Sequence, residues 1–148
     1  MIVNIILFLV IIFVNILILK SVKEPKNLQI VKEKYKRLRE YVKTNDVDKK
    51  FHVLKNPILI SGFVRNYGQG IGYNTNKGYE IGLCIDGDPN EIFHVLLHEL
   101  AHSMSSTYSH DAEFWKNFDD LKKLCQKQNL YSPIKTKSEF CGRYIQDQ

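Results

Sequence analysis

The residues from Ile2 to Leu19 carry no charge, and that run limits what the chain can become more than any other feature. Eighteen residues of α-helix span about 27 Å, enough to cross the hydrocarbon core of a bilayer. A cleaved signal peptide would call for a basic start, a shorter apolar stretch and small residues at a cleavage site, and this sequence has none of them. Residues 1–19 are therefore expected to form a transmembrane helix. Lys20, Lys23 and Lys26 follow it and no basic side chain precedes it. The positive-inside tendency then predicts a single-pass protein whose remaining residues lie on the cytoplasmic side. Asn4 and Asn15 fall on one face of the helix, where they can bond across a helix pair or simply be tolerated.

The rest of the 148-residue chain is long enough for one domain with a sizeable core. Its charged and apolar fractions, 25% and 44%, exclude a disordered or collagen-like chain. The net charge of +5 is unevenly spread: residues 20–50 hold 11 Lys or Arg against 5 Asp or Glu, which leaves the remainder near neutral. A basic flank beside an apolar span fits anionic headgroups, so the membrane is an expected partner. Nucleic acid is possible but not indicated. Cys84, Cys125 and Cys141 are odd in number and widely spaced, which predicts reduced thiols rather than a disulfide framework, and no CxxC pair offers a thiolate metal site.

After a linker at 21–27, apolar residues recur at Leu28, Val31, Tyr35, Leu38 and Tyr41 or Val42, with Lys and Arg opposite. This spacing predicts an amphipathic helix ending near Asn45-Asp46. Two β-rich runs follow, Phe51–Leu54 and Ile58–Val64. Residues 66–82, rich in Gly and Asn, read as turns and a hairpin, and Tyr79–Ile85 as a strand. Asp88-Pro89-Asn90-Glu91 combines a capping residue, a first-position proline and the acidic residue of a capping box. The helix it opens runs through Phe93, Leu96, Leu97, Leu100 and Met104. A second helix is expected from Ser109–Asp111, with Phe114, Trp115, Phe118, Leu121, Leu124 and Cys125 on its apolar face. The tail from Tyr131 to Gln148 shows little regular pattern.

The first of these helices carries His98-Glu99-Leu100-Ala101-His102. Histidines four apart project from one face, one turn apart, and can reach a single Zn2+ ion. Glu99 is rotated about 100° from His98 and can reach a water on the open side of the metal. The zinc-activated water attacks a peptide carbonyl, with Glu99 as general base. The HExxH pattern has false positives, but its place within an amphipathic helix that follows a strand argues for this chemistry over two packing histidines.

A catalytic zinc needs a third protein ligand and an open position. His110 is the candidate, and Asp111 beside it can orient a ligand; Asp111, Glu113 and Asp119 are carboxylate alternatives to His110. His94 extends the histidine stripe by a turn, but it lies about 12 Å along the axis from His102 and cannot share an ion with it. It is expected to pack or to sit behind the ligands. His52 has no motif around it.

The run His98–His102, followed by His110-Asp111-Ala112-Glu113-Phe114-Trp115, resembles the WLM metalloproteases, relatives of the SprT-like peptidases. Tyr73-Asn-Thr-Asn-Lys-Gly, Ile81-Gly-Leu-Cys84-Ile, Tyr131-Ser-Pro-Ile and Glu139-Phe-Cys141-Gly are similar too. The combination resembles the short, membrane-anchored WLM-like proteins of large DNA viruses and covers roughly residues 50–146. The family pattern places five residues between its second and third histidines, whereas this chain has seven. The resemblance implies a compact α+β zincin-like domain, a small sheet packed on the HExxH helix, with His98, His102 and His110 on zinc and Glu99 as base. By the same analogy, Ile81–Ile85 would be the strand edge that takes a peptide.

The expected organisation is thus a transmembrane helix at 1–19, a basic linker and amphipathic helix at 20–50, and a zinc metalloendopeptidase domain at 51–148 acting on a protein or peptide. Two other readings remain: a catalytically silent, membrane-tethered zinc-binding interaction module, and a protease acting on DNA-crosslinked proteins.

Overall fold

The computed structural model describes residues 2–21, 23–65, 68 and 70–147. Val22 of the expected linker, and Asn66, Tyr67 and Gln69 of the expected turn region, lie outside the described residues. Helix α1 (Ile2–Ser21) is long and apolar enough to cross a membrane. Its described side chains are exposed throughout. Asn15 donates its amide to the Ile11 carbonyl at 2.7 Å, which satisfies one of its polar groups within the helix itself.

Helix α2 (Lys26–Thr44) buries Leu28, Val31, Tyr35, Leu38 and Val42, the stripe its spacing predicts. Tyr35 Oη accepts from the Ile58 amide at 3.2 Å, and Arg39 donates to the carbonyls of Leu54 and Lys55. The amphipathic helix therefore shares one core with residues beyond 50. Phe51–Leu54, expected to be β-rich, is instead part of a 3-10 helix over Lys49–Lys55, capped by the Asp48 carboxylate on the Lys50 amide. Phe51 and Leu54 are three apart and both buried. A strand would send them to opposite faces, whereas a three-residue turn stacks them on one.

Strands β1 (Leu59–Phe63), β2 (Gly72–Thr75) and β3 (Glu80–Cys84) form a sheet in the order β1-β3-β2. β1 runs parallel and β2 antiparallel to β3. β3 is the central strand, with Ile81, Leu83 and Cys84 fully buried. The residues expected to offer a peptide-binding edge are thus already paired on both sides, and the edge strands are β1 and β2, of which β2 lies against α3. Tyr73 of β2 lies across Gly82 of β3, where a Cβ would come within 2.2 Å of the tyrosine ring, so only glycine admits the crossing.

Helix α3 (Pro89–Met104) begins with the predicted capping box. Asp88 Oδ1 accepts from the amides of Asn90 and Glu91, and Glu91 Oε2 accepts from the Asp88 amide. A cap of this kind contributes about 1 kcal/mol. Helix α4 (Ala112–Lys127) packs Phe114, Phe118, Leu121 and Cys125 against α3. Trp115, expected on that apolar face, is 45% exposed. The tail holds more structure than its pattern suggests: β4 (Ser138–Phe140) and β5 (Arg143–Ile145) pair antiparallel. Their turn at Cys141-Gly142 has φ of 48° and 77°, the left-handed geometry of a tight hairpin. Three-residue strands are too short for alternation to show.

The thiols also depart from expectation. Cys84 at the end of β3 and Cys141 in the hairpin turn form a disulfide across a sequence separation of 57, and Cys125 is a buried free thiol. The fold is α+β, a three-stranded sheet and a hairpin around α2, α3 and α4.

Candidate metal centre

Among the described residues, one group of His, Cys, Asp or Glu side chains is arranged to hold a metal ion: His98, His102 and His110. His98 and His102 face the same way from adjacent turns of α3. His110 Nε2 lies 3.0 Å from Nε2 of each of the other two. Three nitrogens about 2.05 Å from a tetrahedral zinc would stand about 3.3 Å apart, close to the separation of His110 from each partner, and all three lie within 4.8 Å of one another. Burial, then the neighbouring imidazoles, holds His98 down to about 3, so at neutral pH the ring is uncharged, the form that donates a lone pair to a metal. Burial likewise lowers His102.

His110 arrives from the segment between α3 and α4, and the local bonds explain how a seven-residue spacing still closes on the site. Ser105 donates its hydroxyl to the Ala101 carbonyl, and Asn117 bonds both Ser105 Oγ and the Met104 carbonyl. Lys77, at the tip of the β2–β3 hairpin, donates to the carbonyls of Ser105 and Ser106, both at 2.8 Å. A cation there satisfies the open carbonyl end of α3. Glu113 accepts from the Ser106 amide. Asp111 accepts from Thr107, from Ser109 and from the Phe114 amide, which caps α4. These contacts engage two of the carboxylates considered as third ligands. Asp119 pairs with Lys122 at 3.0 Å. Asp111 orients no histidine; its work is to fix the turn that delivers His110. His110→Ala is expected to weaken zinc binding by more than about a hundredfold, because loss of an outer-shell partner alone costs 10–100-fold. Zinc titration against a competing chelator measures this.

Glu99 is 8% exposed, and burial pushes its carboxyl up to about 7. Its backbone carbonyl accepts from Asn74 of β2 at 2.7 Å, which joins the edge strand β2 to α3. Gly72 sits against the carboxylate: a Cβ there would lie 3.0 Å from Glu99 Oε1 and 2.6 Å from Val95. Glu99 and the three histidines line a cleft of about 650 Å³. Residues 143–146, in β5 and just after it, line its other side, and Val95 and Phe118 contribute from the helices.

His94 stands outside the triad. Its Nδ1 is 2.8 Å from Tyr131 Oη, and Tyr131 in turn donates to Asp147. Since the tyrosine proton goes to the carboxylate, His94 carries its own proton on Nδ1. Burial keeps it at about 4 despite Asp147 nearby, so it is neutral. Asp147 also takes Lys122 and the Ile134 amide, at 2.8 Å each, and so anchors the hairpin's last residues beneath the cleft. His52 is exposed and distant in role.

Pattern reading missed Gly72, Lys77, Trp115 and the hairpin. Only Gly72 left a signal, as one glycine of the Gly68, Gly70, Gly72 series. The others depend on contacts between elements far apart in the chain.

The family model described as the WLM domain matches residues 32–146. No curated protein and no solved structure matches the chain.

Proposed function

On the premise that this chain belongs to the WLM family of zinc-metalloprotease-like domains, we propose that it is a metallopeptidase in which His98, His102 and His110 hold zinc and Glu99 is the general base. The observation that carries this reading is the convergence of three imidazole Nε2 atoms beside one buried carboxylate that opens on the cleft. Zinc held by these three imidazoles would supply an acidified water and polarise a carbonyl. Glu99 takes one proton from the attacking water and returns it to the amine nitrogen as the C–N bond breaks. A carboxyl raised by burial suits both halves of that exchange near neutral pH.

The open edge of β2 supports a peptide substrate, since an extended chain can add there as a further strand. Helix α1 supports a membrane tether, and the basic residues after it favour the cytoplasmic face. The Cys84–Cys141 bond is unusual for that compartment, where thiols are held reduced. Alkylation of the two cysteines in intact cells, expected only in a reducing compartment, reads out the side on which the domain lies.

The test uses the full chain in detergent micelles and an unfolded protein substrate. Chelation is expected to abolish cleavage and one equivalent of zinc to restore it. Stoichiometric zinc with no cleavage under any condition would leave a zinc-binding module tethered to a membrane.

A further inference from the structure

The cleft has a direction, and its walls differ on the two sides of the metal centre. Gly72 lies against Val95 and Glu99, while Asn74 reaches Glu99 and Ser103. β2 therefore runs alongside α3 in the same sense as the helix. β2 is already antiparallel to β3, and antiparallel pairing is the more stable per residue. A peptide that continues the sheet in this way enters beside Asn74 and His102 and leaves past Gly70 and His94. The residue that follows the bond facing Glu99 then lies over the 650 Å³ cleft.

That side combines an apolar floor and two aromatic rings with Asp119, Lys122, Arg143 and Gln146, which line it as well; Lys137 Nζ stands 4.2 Å from the centre of the Tyr144 ring. Phe118 and Ile145 are buried at its floor, with His94 beside them. Trp115 from α4 and Tyr144 from β5 stand on separate elements and line the cleft while 45% and 65% exposed. The ring of Trp115 also lies 5.8 Å from that of His110, which places this wall next to the triad. The entry side is different: Asn74, Lys77, Glu99, His102 and Tyr108 line a smaller and more polar recess of about 160 Å³.

We propose that this cleft selects peptides whose residue directly after the scissile bond bears a large apolar side chain, aromatic or branched aliphatic, held between Trp115 and Tyr144. The inference rests on the peptidase reading for its position but not for its measurement. Trp115 is the only tryptophan of the chain, so its emission reports occupancy of the cleft without turnover.

The experiment uses the full-length zinc-loaded Glu99→Gln protein in micelles and two capped heptapeptides that differ only in a central Phe or Ala. The expected result is a saturable change in Trp115 emission, with the Phe peptide bound about tenfold more tightly or better. Tyr144→Ala in the same background should bring the two affinities within about threefold. Equal affinities, or no saturable change with either peptide, overturn the proposal. For the wild-type enzyme, mass spectrometry should place the cut on the N-terminal side of Phe; a cut on its C-terminal side also overturns it. Selective binding without any cleavage by the wild type refutes the peptidase reading and leaves the cleft's selectivity standing. Cleavage without selectivity does the reverse.

Discussion

Glu99→Gln is expected to lower kcat by about 10²–10⁴-fold, the usual contribution of a positioned general base, while zinc stoichiometry stays at that of the wild type. Glutamine keeps the shape of the side chain but accepts no proton. The three imidazoles stand on other positions of α3 and before α4, so the metal site is left intact. The pH profile adds a second readout. Glu99 acts as a base only when ionised, so activity should rise with pH through its pKa, and the variant should lose that acid limb. Burial alone puts the group at about 7; a cation beside it draws the limb to lower pH.

The same substitution should stabilise the metal-free protein. The carboxyl is raised in the folded state, so its favourable contribution is complete below the unfolded value near 4.5 and is lost as pH rises through about 7. Above that range the folded chain carries a buried, unpaired carboxylate. The glutamine variant should then be more stable than wild type at pH 8 by on the order of 3 kcal/mol, and zinc should erase the difference. Urea denaturation with and without chelator measures both. A wild type that is the more stable of the two without metal would contradict the assignment.

The second large effect belongs to Cys84 and Cys141. Replacing both with alanine opens a closed segment of 57 residues and is expected to cost about 4 kcal/mol through the added freedom of the unfolded chain. The loss should appear as a lower urea midpoint relative to oxidised wild type. Function should change unevenly. The triad and Glu99 stand on α3 and just before α4, whereas Cys141 anchors the hairpin that carries Tyr144. KM for peptides with a large apolar residue after the bond should therefore rise by a larger factor than kcat falls. Equal loss in both would mean that the bond supports the metal site itself.

Much of the centre was legible in the sequence because its signals are local. Asp88, Pro89 and Glu91 start α3 within four residues, and a helix with a known start fixes which way His98, Glu99 and His102 point. The stripe from Leu28 to Val42 identified α2 for the same reason, although periodicity alone could not reveal that α2 packs against α3. Elsewhere the deciding contacts lie far apart in the chain. The bond between Cys84 and Cys141 leaves one thiol over, so a count of three cysteines pointed away from it. Trp115 falls within an apolar stripe and looks like core, yet α3 covers only the part of that stripe occupied by Phe114 and Phe118. The β4–β5 hairpin owes its shape to a two-residue turn and its position to Asp147, which meets Tyr131 and Lys122 only after folding. Lys77 likewise reaches Ser105 and Ser106 across 28 and 29 positions.

The segment from Ser106 to His110 is exposed, and His110 at its end lines the cleft. A cut there separates the chain into a piece carrying Cys84, His98 and His102 and a piece carrying His110 and Cys141. The disulfide holds exactly these two pieces together. A molecule cut there would therefore migrate as one band until reductant is added, and all three imidazoles would remain within a single covalent particle. Damage to the backbone in this exposed segment need not disperse the parts of the centre.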